Sequence, residues 1–230
     1  VGQIEWKWTR PTLYQGKTYA VLLRLTDRAG NVKTQTLGEK KTFFYDEVSP
    51  VAVLLDPNVE FEKYLPTLSG TASDAATDIS GVEIAISTGG ASYDQKVWNG
   101  SGWVNGPSLT WLAGTATDGD FDDELLEDWK LPAVSTPAWV NGRTYKIWVK
   151  SLDQAYNEST VVSSTFTYDA QSALLAITHP LDATPQVDTS PRISTTSLFN
   201  GKSSIIGTAQ DSGPSGVASV QLRVRYNDGG

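Results

Sequence analysis

The stretch YAVLLRLTDRAGN, Tyr19 to Asn31, is respelled as YKIWVKSLDQAYN from Tyr145 to Asn157, 126 positions further along the chain. A chain that spells one long pattern twice builds one supersecondary unit more than once, which restricts it to repeat architectures. In the first copy Tyr19, Val21, Leu23 and Leu25 share one face, and Arg24 and Thr26 share the other. In the second, Tyr145, Ile147 and Val149 alternate with Lys146 and Lys150. A period of two is the signature of a strand with one face buried. Each copy ends with an aspartate four positions before an asparagine, Asp27 to Asn31 and Asp153 to Asn157. Such side chains bond local backbone amides, so the ends are read as tight hairpin turns in preference to metal ligands.

Other words return with similar offsets. TFFYD (Thr42 to Asp46) recurs as TFTYD (Thr165 to Asp169) and EWKW from Glu5 as DWKL from Asp128, both 123 positions on. SGTASD (Ser69 to Asp74) recurs as IGTAQD (Ile206 to Asp211) at 137, and SGV at Ser80 returns at Ser215 after 135. Strand words are kept while the connections drift in length, as loop closure permits. The order of the words predicts the C-terminal half of one domain over 1–47, a complete domain over 48–170, and the N-terminal half of another over 171–230. About seven short strands per unit, punctuated by 20 Gly and 11 Pro, predict an all-β fold of two-sheet antiparallel sandwiches.

Carried by GTASDAATDISGVEIAI, YDQKVWNGSGWV, GKTYAVLLRLTDRAGN and TFFYD, the chain resembles the bacterial immunoglobulin-like domains strung in tandem along large secreted and cell-surface proteins. The resemblance implies tandem Ig-like β-sandwiches in an extracellular or cell-surface setting, in a stalk, fibre or adhesin. Between units, YDEVSP and YDAQSA contain no Gly/Ser tether, so consecutive sandwiches are expected to stack as a semi-rigid rod. Half sandwiches expose an apolar face and unpaired edges. The expected partners are therefore neighbouring Ig-like domains of the same or adjacent chains, an excerpt of a longer chain being preferred over head-to-tail filaments. The lengthened loop from Thr184 to Gly201 is the expected place for a new contact surface.

Composition and motifs remove several enzyme classes. With no Cys there is no disulfide, thiolate metal site or cysteine nucleophile. His179 is the only histidine, in THP where the earlier copy has Leu55-Asp56-Pro57, so no His pair or H-E-x-x-H exists. No G-x-S-x-G elbow is present, and the glycines of STGGASY (Ser87 to Tyr93) precede neither a Lys nor a helix pattern, so they read as a hairpin loop and not a phosphate cradle. A net charge of −8 argues against a nucleic-acid partner. No apolar run reaches membrane-span length, and an export signal or anchor is expected outside these residues, which open on Val1. The expectation is a non-enzymatic segment.

One acidic stretch stands out, TDGDFDDELLED from Thr117 to Asp128. Asp118, Asp120 and Asp122 have the one-three-five spacing of a Ca²⁺ loop, and Asp123 and Glu124 extend the oxygen set. Asp123 stands where an EF-hand-type loop needs Gly, and Trp129 where it needs Glu, so any Ca²⁺ site would be of another type. The plainer reading is a solvated loop running into one helical turn. Trp98, Trp103, Trp111, Trp139 and Trp148 raise cell-surface or matrix glycans as ligands, which would make an accessory carbohydrate-binding or spacer module of a secreted polysaccharide-active enzyme the alternative function. Core packing is the preferred use of these rings, since each brings roughly 150–250 Å² of apolar area. Trp148 is the exception, set by alternation on the outer face.

Overall fold

The computed structural model describes residues 5–89, 95–106, 108–121, 126–179 and 204–224. In chain order its strands are β1 (Lys17–Val21), β2 (Arg24–Thr26), β3 (Val32–Thr34), β4 (Lys41–Tyr45), β5 (Val51–Asp56), β6 (Phe61–Glu62), β7 (Leu68–Ser73) and β8 (Ile79–Thr88). There follow β9 (Lys96–Trp98), β10 (Trp103–Asn105), β11 (Leu112–Ala113), β12 (Thr115–Ala116), β13 (Leu126–Leu131), β14 (Thr144–Asp153), β15 (Val162–Tyr168), β16 (Leu174–His179) and β17 (Ile206–Gln210).

Two sheets form from β5 to β15. One runs β12-β13-β7-β5; the other runs β10-β9-β8-β14-β15-β6, with β11 also on β8. These are the A-B-E-D and C-F-G orders of an immunoglobulin-type sandwich, with β9 and β10 added beyond the C strand. All pairings are antiparallel except β6 with β15. Alternation fills the space between the sheets: Leu68, Ala72, Trp129 and Leu131 come from one, and Val82, Ile84, Ile86, Tyr145, Ile147, Val149 and Phe166 from the other, all buried in a single cluster. Burial of each large apolar side chain contributes about 1.5–3 kcal/mol, and this dominates the stability of the sandwich.

Tyr145 explains why its word is kept. Its ring stacks on Phe166 (5.6 Å) and Trp103 (5.8 Å) and meets Trp139 edge-on (4.8 Å), while its hydroxyl accepts the Val140 N–H at 2.9 Å. This is the tyrosine corner that fixes the entry to the F strand of such sandwiches. In the first copy Tyr19 stacks on Phe43 at 5.6 Å and accepts the Tyr14 N–H at 2.7 Å.

The strands at either end repeat the central pairings. Tyr19 lies opposite Phe43 as Tyr145 lies opposite Phe166. The β16-β17 pair matches β5-β7 residue for residue, including a register shift between Ile177 and His179 that mirrors the one between Leu54 and Asp56. Both hairpin turns form as the sequence predicts: Asn31 and Asn157 donate backbone and side-chain N–H groups to Asp27 and Asp153 at 2.7–2.9 Å. Gly30 takes the left-handed conformation there (φ 90°), and Tyr156 takes it in the second copy (φ 65°) despite its side chain.

Two words do not form the expected strands. Glu5 to Trp8 are without regular structure, as are Val217 to Val224. A strand exists only with a hydrogen-bonded neighbour. DWKL has β7 and β12 beside it and SGVEIAIS has β14, whereas the other two copies have no such partner among the described residues. Their apolar side chains stay exposed, as do Val21, Leu25, Leu175 and Ile177 of the flanking pairs.

Candidate functional site

Of the residues proposed for Ca²⁺, Asp118 and Asp120 lie exposed in the loop after β12. Asp122, Asp123 and Glu124 fall outside the described residues, as do most of STGGASY and the loop from Thr184 to Gly201. The expected helical turn is corrected in part: Leu126, Glu127 and Asp128 are strand, because β13 pairs along its length with β7. His179 closes β16 opposite Ile206.

The tryptophans divide by face. Trp98 and Trp103 meet across their hairpin (5.5 Å) and pack with Trp139 against the core. The Trp98 indole donates to the Ser135 carbonyl at 2.8 Å and that of Trp139 to the Leu65 carbonyl at 2.7 Å. Trp148 lies on the outer face as expected, half-buried, with the Lys146 ammonium 3.8 Å from its ring centre. Lys150 sits 5.1 Å from the Trp111 ring and pairs with Glu83 (3.0 Å) and Glu158 (2.9 Å). A lysine therefore occupies one face of each outer ring.

A different acidic group is brought together where the β1-β4 pair meets the central sandwich. Asp46 follows β4, Asp74 follows β7 and Asp153 ends β14; all three are buried. One carboxylate oxygen of each lies within 4.8 Å of those of the other two. The Asp46 Oδ1 accepts from the Gln15 side chain and from the Val48 N–H (2.9 Å), its Oδ2 from the Thr77 hydroxyl (2.8 Å), and its carbonyl from the Asn157 side chain (3.3 Å). The Asp74 Oδ1 takes the Ala76 and Thr77 amides at 2.8 and 2.9 Å. Gln15 also receives the Glu47 N–H at 2.7 Å, which ties the end of β4 to the chain before β1. Beside the cluster, a cleft lined by Phe44, Ala76, Thr77, Asp78, Gln154 and Ala155 opens to solvent.

Burial is the largest single influence on the Asp46 carboxyl and pushes its pKa up, but the hydrogen bonds from Gln15, Val48 and Thr77 together outweigh it and hold the pKa below the usual range. The sign follows from linkage. A depressed folded pKa gives stability that is present above the unfolded value, near pH 3.9, and lost as pH falls through the lower folded value. An Asp46→Asn variant is therefore expected to show a shallower fall in melting temperature below about pH 4 than the parent chain; parallel melting curves across that range would refute the linkage.

The sequence carried a signal for this group that local reading passes over. Three repeated words end on an aspartate, TFFYD at Asp46, SGTASD at Asp74 and YKIWVKSLD at Asp153, with Asp169, Asp211 and Asp27 in the other copies. Chemically the cluster offers three carboxylates, together with the Thr77 hydroxyl that donates to one of them at 2.8 Å.

The sheet orders and the carboxylate-lined connection define an immunoglobulin-type β-sandwich tied to the strands that precede it. No protein-family description matches the chain, and no curated protein matches it. Among solved structures it is similar to a crystal structure of the SrpA adhesin from Streptococcus sanguinis, at 12% identity and a TM-score of 0.29, over 54% of this chain and 59% of that one. The chain thus spans less than two thirds of that structure, and a likeness of this degree carries no weight for function. Among the described residues no helix is long and apolar enough to cross a membrane.

Proposed function

We propose that this chain is a non-enzymatic structural segment of a long extracellular stalk, fibre or adhesin, built from consecutive Ig-like units divided near residues 47 and 170. The observation that carries the reading is the recurrence of pairing and register: the Tyr19-Phe43 and Tyr145-Phe166 pairs at one end of the unit, and the shifted β5-β7 and β16-β17 pairs at the other. Stacked units of this kind set length and resist bending, because each contacts its neighbour through a short, hydrogen-bonded connection.

Lys146 and Lys150 over the outer tryptophans favour a spacer over the accessory carbohydrate-binding module, since a sugar ring would have to stack where an ammonium already sits. Titration with a panel of cell-surface and plant-wall glycans is expected to leave the intrinsic Trp fluorescence unchanged. A saturable change abolished by Trp148→Ala would instead establish a glycan-binding module.

A further inference from the structure

The three aspartates at the connection are hard to account for as turn residues alone. We propose that Asp46, Asp74 and Asp153 bind a single Ca²⁺ that locks the β1-β4 pair onto the central sandwich.

Asp74 is 8% exposed, and its Oδ2 is buried with no hydrogen-bond partner among the described residues. Its Oδ1 is saturated by two turn amides. A buried carboxylate oxygen left in this way costs free energy unless something meets it. Beside it stand two more buried carboxylates. The ion pairs among the described residues are Arg10-Glu47, Lys33-Glu39, Lys150-Glu83 and Lys150-Glu158, and none involves these three aspartates. Several like charges buried together need a counter-charge or a proton.

Geometry selects the counter-charge. Two oxygens each about 2.4 Å from one ion are at most about 4.8 Å apart, and the three oxygens meet that limit. Each carboxylate has about four lone-pair sites. Asp46 gives up three to Gln15, Val48 and Thr77, Asp153 two to Asn157, and Asp74 two to Ala76 and Thr77. Every one keeps a site for a metal. An all-oxygen donor set without His or Cys is that of a hard cation. Three carboxylates in a protein-walled site suit Ca²⁺ better than Mg²⁺, which holds its waters. The ligands come from both sides of the connection, so the ion joins what the hydrogen bonds only align. At the next connection Asp169 and Asp211, which recur in the same words, converge on Ser215: its N–H donates to Asp169 at 2.9 Å and its hydroxyl to Asp211 at 3.1 Å.

The test is calorimetric titration of Ca²⁺ into the chelator-stripped 230-residue chain, its Asp74→Asn variant and an Asp118→Asn/Asp120→Asn variant, with cleavage after Glu47 by a glutamyl protease followed by mass spectrometry. Asn at position 74 still accepts the two turn amides, so that variant keeps the fold, and circular dichroism checks it. The expected result is saturable binding that Asp74→Asn weakens at least about ten-fold, that the double variant leaves unchanged, and that slows cleavage after Glu47. Absence of any calcium response overturns the proposal, as does a response abolished by the double variant and retained by Asp74→Asn. Equal cleavage rates with and without calcium overturn the locking. The inference rests on the stacked-unit reading only for its role. A null titration here leaves the glycan result untouched, and a positive glycan result leaves the calcium site standing.

Discussion

Tyr145→Ala is expected to lower the stability of the central sandwich by about 4 kcal/mol, the range seen when a large aromatic is cut from a core. Three rings lose their common neighbour, since Phe166, Trp103 and Trp139 all pack on Tyr145, and the Val140 N–H loses its acceptor. Typical domains have only about 5–15 kcal/mol in hand, so such a variant is close to unfolded at physiological temperature. Tyr145→Phe separates the parts: packing is kept, the corner hydrogen bond is lost, and the cost falls to about 1–2 kcal/mol. Tyr19→Ala, the same change in the other copy, is expected to cost about 2 kcal/mol, because among the described residues Tyr19 stacks only on Phe43 and its hydroxyl accepts only the exposed Tyr14 N–H. Urea unfolding followed by Trp fluorescence measures all three. Equal losses at Tyr145 and Tyr19 would show that the tyrosine acts through its hydrogen bond and not through the ring cluster.

A single methyl group is expected to do nearly as much harm at Gly70. A Cβ there would run into the Val53 carbonyl and into the Trp129 ring, which is itself 1% exposed. Neither obstacle can yield, since Val53 is held in the β5-β7 ladder and Trp129 is packed between the sheets. Gly70→Ala is expected to cost about 3 kcal/mol, at the upper end of overpacking effects. A change below 0.5 kcal/mol would mean that β5 slides outward to make room, which hydrogen exchange at the Val53 and Leu54 amides would report. Gly207 stands in the same place against the Ala176 carbonyl, so its word keeps a glycine for the same reason.

The strands that could be read from the sequence are those whose alternation and turns are local properties. The hairpins at Asp27 and Asp153, the inward run Tyr145, Ile147, Val149 and the outward Trp148 follow from period two and from Asx chemistry. Trp6 and Trp8, by contrast, are 60% and 80% exposed. Their word matches that of a real strand, but pairing depends on what lies beside it. The tyrosine corner was legible only as an inward aromatic, because its acceptor role needs the chain five residues upstream to turn back on it. The acidic group was least legible. Spacing within one loop points to Asp118 and Asp120, while Asp46, Asp74 and Asp153 stand 28 and 79 residues apart and meet only once both sheets are assembled.

The hydrogen bonds that Asp46 accepts from Thr77 and Asn157 also make the sandwich and the strands before it thermodynamically dependent on each other. When the β1-β4 pair melts, Thr77 and Asn157 lose partners that water replaces only in part, so the sandwich left behind is weaker than it was. Stability in an array of such units is then a nearest-neighbour quantity, with a term for each folded unit and another for each intact connection. In a fibre of the kind proposed, damage to one unit would lower the stability of the next, and units would give way as adjacent runs instead of one at a time.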